Sequence, residues 1–187
     1  MSSEIKSTTV QTNSLKDKTG TRILASDSGS TWSWGTPPAG TTLQTLHFET
    51  TEENALTTGF VNYYENSIQL KSASSDVFVV FGGSYYLNSG GRFSVKIYRN
   101  NSATVTTSHT EVWTKNPNAS GDPITVYSSG SSAGVLVIHA KDSLSGFSVG
   151  NTLYYGAFAQ RGSTAVSFPQ NDTEDGFFYM TLTEVQK

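Results

Sequence analysis

The chain has 187 residues, of which 35% are hydrophobic, 12% aromatic and 14% charged, with a formal net charge of −3. This length suits one domain with an extension, and many aromatic residues with little net charge exclude a disordered chain. The slightly acidic balance argues against nucleic-acid binding, which needs a basic surface, and the lack of cysteine excludes disulfides and thiolate chemistry.

The first 44 residues form a predicted segment that differs from the rest of the chain. It is rich in Ser, Thr, Gly and Pro, and it has too few apolar residues to bury a core of its own. Because structureless tails seldom keep tryptophan, we interpret its two tryptophans as docking groups for a partner or a neighbouring subunit; the alternative is that they cover the sandwich of the same chain. The candidate anchor residues are Ile5, Val10, Leu15, Ile23, Leu24, Trp32 and Trp34.

Residues 45–187 consist of short strand-like runs separated by turns. Residues 77–81 are apolar on both faces, which predicts a central strand covered from each side, and the two glycines at 82–83 predict its end or a bulge. Residues 100–102 predict a hairpin turn into a further strand at 104–106. About nine or ten strands without helical periodicity predict an all-β sandwich or barrel.

The last predicted strand, residues 177–185, alternates most clearly. Its pattern places Phe178, Met180, Leu182 and Glu184 on one face. We therefore expect this strand to close the sandwich with one face buried.

Catalytic and metal-binding patterns are missing from the sequence. The three histidines lack metal-ligand spacing, and those at 47 and 139 are expected to face a neighbour or solvent from within strands. An acidic stretch at residues 172–175 has two interpretations, a calcium loop and a solvated turn. We expect no enzyme activity and no cofactor, although a pair of glycosidase carboxylates far apart in the chain leaves no local pattern.

Paired tyrosines supply the remaining signal, because within a strand one member of each pair faces outward. Outward tyrosines suit protein interfaces and also form stacking platforms for sugars; the alternative is an ordinary core with some exposed tyrosine. The candidate outward-facing binding residues are Tyr63, Tyr85, Trp113 and Tyr155.

Several stretches resemble those of known virion proteins. Residues 3–10 and 19–24, followed by a Ser/Gly stretch, resemble the N-terminal segments of tailed-phage virion proteins, notably those of marine phages. Stretches in the second part resemble the trimeric jelly roll of tumour-necrosis-factor and complement globular-head domains, as used in phage fibres and decorations. These are residues 78–87, 92–102, 149–155 and 178–185.

The resemblance implies an extended N-terminal anchor, residues 1–44, followed by an antiparallel jelly-roll β-sandwich, residues 45–187. It implies a non-catalytic structural protein on the virion surface, a short fibre or capsid decoration, because the chain has no long shaft. The expected partners are two further copies in a homotrimer and other virion proteins. The alternative function is a carbohydrate- or receptor-binding module for host attachment. The amino terminus lacks a signal peptide and no apolar run spans a bilayer, so we expect synthesis in the host cytoplasm without membrane insertion.

Overall fold

The computed structural model describes residues 14–16, 22–26, 32–33, 37–51, 56–88, 90–113, 124–162, 166–167 and 176–187. Every regular element in these ranges is a β-strand, which confirms the all-β prediction. The chain divides into two compact units, residues 1–41 and residues 42–187. The predicted start of the sandwich at residue 45 lies inside a strand that begins at Thr42.

The first unit contains a small antiparallel sheet. Its strands are β1 (Ser14–Lys16), β2 (Arg22–Ser26) and β3 (Trp32–Ser33), in the order β1-β2-β3. These short strands pair with one another, and the predicted anchor over residues 1–44 stays a prediction.

The second unit is a sandwich of two antiparallel sheets. Sheet I has the order β10-β6-β13-β4, with β12 also paired to β6, and sheet II has the order β5-β11-β7-β8, with β9 also paired to β7. The strands are β4 (Thr42–Thr50), β5 (Val61–Gln69), β6 (Ser75–Leu87), β7 (Arg92–Asn100), β8 (Thr110–Trp113), β9 (Ile124–Tyr127), β10 (Ser132–Ser143), β11 (Thr152–Arg161), β12 (Val166–Ser167) and β13 (Phe178–Gln186).

The eight main strands follow a jelly-roll path. The chain passes from β4 in sheet I to β5 in sheet II, returns to β6, crosses to β7 and β8, and then alternates through β10, β11 and β13. Apart from β8 and β9, which both pair with β7, the strands that lie side by side in each sheet are distant in sequence. This arrangement confirms the antiparallel jelly-roll sandwich.

The core lies between the two sheets and is formed by alternate residues of each strand. Val79 and Phe81 of β6 face Val95 and Ile97 of β7, and all four are fully buried. The buried positions of β13 alternate from Phe178 to Gln186, which confirms the predicted inward face of this strand.

Two local predictions are wrong. The glycines at 82–83 do not end or bulge the strand, because β6 runs through them to Leu87 in unbroken register with β10. Residues 104–106 do not form a strand; they belong to the connection between β7 and β8. This connection is held by the Glu65 carboxylate, which accepts hydrogen bonds from the backbone N–H groups of Thr104 (3.1 Å) and Val105 (2.8 Å).

Candidate interaction surfaces

The outer face of sheet I carries apolar side chains that the chain leaves in contact with solvent. Val135, Val137, Phe78 and Phe177 are 55%, 42%, 39% and 38% exposed. Patches of this kind on a soluble protein usually mark an interaction site. We call this surface the apolar face and define it by Phe78, Val80, Val135, Val137, Phe177 and Tyr179.

Strand register places these side chains on one side of the sheet. Gly82 is the cross-strand partner of Val137 on one neighbour and of Tyr179 on the other. Directly opposite residues share a face, so Val137 and Tyr179 lie on the same side, separated by a residue without a side chain. The rings of Phe177 and Tyr179 stack at 6.2 Å with an interplanar angle of 15°.

Polar groups border the apolar face along β4. One imidazole nitrogen of His47 lies 2.7 Å from Oγ1 of Thr181, and the other lies 2.9 Å from Oε1 of Glu49. The His47 ring centroid is 5.8 Å from that of Tyr179. An apolar centre with a polar border is the usual composition of a protein–protein interface.

The sequence pattern at residues 77–81 indicates the apolar face, but our prediction from that pattern did not include an exposed face. Residues 77–81 are apolar on both faces, and the prediction assigned both faces to the interior. The structure buries Val77, Val79 and Phe81 but leaves Phe78 exposed. Apolar residues on both sides of a strand therefore do not show that both sides are buried.

Two residues predicted to face outward, Tyr63 and Tyr155, are buried in the core, so these predictions are wrong. Tyr63 lies at a bulge in β5, where Tyr64 pairs with Ala157 and the next pairing along β11 skips to Asn62. The additional residue disturbs the two-residue alternation, and both tyrosines of the pair approach the core. The centroid of Phe178 is 5.0 Å from that of Tyr63 and 6.3 Å from that of Tyr64.

Tyr155 is inward because of register rather than a bulge. Its hydroxyl donates a 2.8 Å hydrogen bond to Oδ2 of Asp142 inside the sandwich. Its neighbour Tyr154, on the opposite face, is half-buried. The sequence identifies the pair but not which member is inside, since a shift of one residue exchanges the faces.

The other two predicted outward residues differ in outcome. Tyr85 is half-buried and packs against the core, with its ring centroid 5.3 Å from that of Phe93, so the outward prediction is wrong here too. Trp113 ends β8, where its Cα pairs with that of Ile97, and its side chain lies outside the described part of the structure.

The predicted anchor residues lie in the first unit. Leu15, Ile23, Leu24 and Trp32 belong to β1, β2 and β3, and Leu15 pairs with Leu24. Their side chains, and Ile5, Val10 and Trp34 entirely, lie outside the described residues. Their role as docking groups therefore stays a prediction.

A buried carboxylate, Glu184, acts as a structural group at one end of sheet I. Its oxygens accept hydrogen bonds from the backbone N–H groups of Lys71 and Ser72, from Oγ of Ser75 at 2.9 Å and from Nε2 of Gln44 at 2.6 Å. A buried carboxylate with this many donors is fully satisfied. It fixes the turn between β5 and β6 to β13.

Two neighbouring carboxylates have oppositely shifted pKa values. Burial raises the pKa of Asp142, and the guanidinium of Arg99, 3.3 Å away, opposes that shift without cancelling it. Burial also acts on Asp76, but the ammonium groups of Lys141 (2.7 Å) and Lys187 (3.1 Å) outweigh it and hold the pKa of Asp76 below its usual value. Both groups sit in ion-pair networks that join strand ends.

The described residues offer few groups suited to chemistry. His47 and His139 lie exposed on strands, as predicted. Within the described ranges no group of three or more His, Cys, Asp or Glu side chains is placed to hold a metal ion. The acidic stretch at 172–175 lies outside the described residues, so the calcium and turn interpretations both stay predictions.

No protein-family model matches the chain, and no curated protein sequence is significantly similar to it. In the part of the chain that the structure describes, there is no helix of the length and apolarity that crossing a membrane requires.

Proposed function

We propose that the protein is a non-catalytic structural component of a tailed-phage virion, a short fibre or capsid decoration whose sandwich associates with copies of itself. The apolar face of sheet I carries the self-association part of this proposal. Four apolar side chains more than one-third exposed lie on one continuous side of the sheet, and a second copy of the chain removes that surface from water.

The virion assignment rests on the sequence resemblance, and the jelly-roll topology supports it. In this proposal the assembly is a homotrimer on the virion surface, the first unit docks onto the particle, and the sandwich points outward. In a trimer the apolar face of each copy contacts a different surface of the next copy, because contact between identical surfaces closes a dimer.

The self-association is tested by light scattering on the full chain and on Val137→Asp. We expect a trimer for the wild type and a monomer for the variant, since a carboxylate buried without a partner at an interface is strongly unfavourable. Val149→Asp is the matched control, because Val149 is 63% exposed but lies in the turn before β11 rather than on the apolar face. A monomeric wild type refutes the assembly.

The virion location needs a separate experiment. Antibodies raised against the purified protein are expected to label intact phage particles whose genome encodes it, in electron micrographs. Particles that remain unlabelled, with the protein absent from their mass spectra, refute the virion assignment.

A second candidate function is a carbohydrate- or receptor-binding module for host attachment. A specific observation favours it: Tyr127 of β9 is 65% exposed and lies on the outer face of sheet II beside a polar cleft. The two functions are compatible, because they use opposite sheets of the sandwich.

A further inference from the structure

A cleft of about 460 Å³ opens on the outer face of sheet II, away from the apolar face. This volume lies within the range of small-molecule sites, roughly 300–1,000 Å³. Its lining combines side chains of β7, β9 and β11 with the segment before β5. None of its residues belongs to the sites predicted from the sequence.

Cross-strand pairs place the polar groups of the cleft in adjacent rows. Ser94 is the partner of Gln160 on one neighbouring strand and of Thr125 on the other. The hydroxyl oxygens of Ser94 and Thr125 lie 2.9 Å apart, which confirms that they share a face. This row supplies two hydroxyls and an amide, groups that both donate and accept hydrogen bonds.

The next row places a guanidinium beside an aromatic ring. Arg92 is the direct partner of Tyr127, so both side chains stand on the outer face. On the other side of Arg92, Gly162 donates a 2.8 Å backbone hydrogen bond to the Arg92 carbonyl. A Cβ on Gly162 would lie 2.6 Å from Cγ of Arg92 and 2.7 Å from Nε, so the missing side chain leaves room for the arginine to lie along the cleft.

The described lining of the cleft is positively charged although the whole chain is not. Arg161 also lines it, and the described part of its lining contains two arginines and no carboxylate. Among the described residues neither arginine forms an ion pair, whereas Lys96, further along β7, is paired with Glu111 at 3.3 Å. The protein as a whole carries a formal net charge of −3.

We infer that this cleft binds an acidic saccharide, a sugar bearing a carboxylate or a sulfate group. The planar guanidinium group of Arg92 matches the paired oxygens of such an anion, and Arg161, which strand register places on the side of Phe93 at the end of β11, adds positive charge at the edge of the cleft. The hydroxyls and the amide of the adjacent row match sugar hydroxyls, and the exposed ring of Tyr127 offers an apolar surface for the C–H face of a sugar ring. Because the cleft lies on sheet II, the inference is independent of self-association through sheet I.

The inference is tested by calorimetric titration of the full-length protein with three trisaccharides of similar size: tri-galacturonic acid, a sulfated galactose trisaccharide and its neutral counterpart. We expect at least one acidic trisaccharide to bind about tenfold or more tightly than the neutral one. Arg92→Gln is expected to weaken that binding about tenfold, Arg161→Gln is expected to weaken it less, and Tyr127→Ser is expected to weaken it as well. Lys71→Gln, which removes an exposed cation elsewhere, is the matched control and keeps wild-type affinity.

Three results overturn the inference. The first is the absence of binding by either acidic trisaccharide, and the second is binding that the arginine substitutions leave unchanged. The third is equally tight binding of inorganic sulfate, which makes the cleft a simple anion site. Binding of one acidic trisaccharide and not the other identifies the carboxylate or the sulfate as the recognised group.

Discussion

The ring of Tyr179 occupies the space above Gly82, its direct partner on the neighbouring strand. A Cβ on Gly82 would lie 2.6 Å from Cε1 and Cζ of that ring. The next pair repeats the arrangement on the inner face, where the ring of Phe178 covers Gly83. Two consecutive glycines thus accept two consecutive aromatic rings on opposite faces, and cross-strand aromatic cover of this kind stabilises glycine in strands.

This relationship predicts unequal effects of alanine at the two glycines. Gly83→Ala is expected to lower the free energy of unfolding by about 1–3 kcal/mol, because its Cβ meets the buried Phe178 ring and, at 2.9 Å, the Phe177 carbonyl oxygen. Gly82→Ala is expected to cost less, since the half-buried Tyr179 ring lies on the outer surface of the sandwich and not in its core. Urea unfolding followed by tryptophan fluorescence measures both.

The matched control for these variants is Gly130→Ala, where an added Cβ meets nothing within 4 Å. It is expected to leave the urea midpoint unchanged or slightly raised. Equal losses at Gly82 and Gly83 would contradict the distinction between a mobile surface ring and a fixed core ring.

The sequence predicted the fold better than the faces of individual residues. The inward face of β13 was predicted correctly because every second residue from Phe178 to Leu182 is apolar. Tyr63 and Tyr155 were misplaced because a bulge and a one-residue register choice depend on contacts between distant strands. The cleft at Arg92 was invisible for the same reason: β7, β9 and β11 meet there from separate parts of the chain.

The buried carboxylate of Glu184 predicts a large effect for a small change. Glu184→Gln places an amide NH₂ where backbone N–H groups already point, leaving donors without an acceptor, and is expected to cost about 2–3 kcal/mol of unfolding free energy. Glu49→Gln, the same change at an exposed site of sheet I, is the control and is expected to leave the urea midpoint unchanged. Similar midpoints for the two variants would refute the structural role of Glu184.

The opposite pKa shifts of Asp142 and Asp76 predict opposite pH dependences. Burial raises the pKa of Asp142 above its usual 3.8, so the folded state holds that proton more tightly and the contribution of Asp142 to stability falls as pH rises through the raised pKa. The pKa of Asp76 is lowered from 3.8 by its two lysine partners. Its contribution is therefore present above pH 3.8 and is lost as pH falls through the lowered pKa.

These signs are measured by urea unfolding of the wild type, Asp142→Asn and Asp76→Asn between about pH 3 and about pH 7. With rising pH, the stability advantage of the wild type over Asp142→Asn is expected to shrink, and its advantage over Asp76→Asn is expected to grow. Parallel pH profiles for the two variants would show that burial does not control Asp142.

The connection between β7 and β8 contains a strained residue whose replacement is expected to stabilise the protein. Thr104 has a φ of +66°, a conformation that a β-branched side chain adopts only at a cost. The position is held because the Glu65 carboxylate binds the N–H groups of Thr104 and Val105, and because Val105 packs with Tyr98 and Phe158 on the outer side of sheet II. Thr104→Gly keeps these backbone contacts and removes the steric cost.

We expect Thr104→Gly to raise the free energy of unfolding by up to about 1 kcal/mol. Glycine relieves the backbone strain of the folded state, and this gain exceeds the loss that comes from the greater conformational freedom of glycine in the unfolded chain. Thr106 lies in the same connection but does not have a positive φ, so Thr106→Gly relieves no strain and is expected to lower the free energy of unfolding. Combining Thr104→Gly with Glu65→Gln is expected to abolish the gain and to expose the connection to limited proteolysis, because one of the two oxygens that accept from Thr104 and Val105 is then replaced by an NH₂ donor. A Thr104→Gly variant less stable than the wild type would show that the left-handed backbone at this position carries no strain.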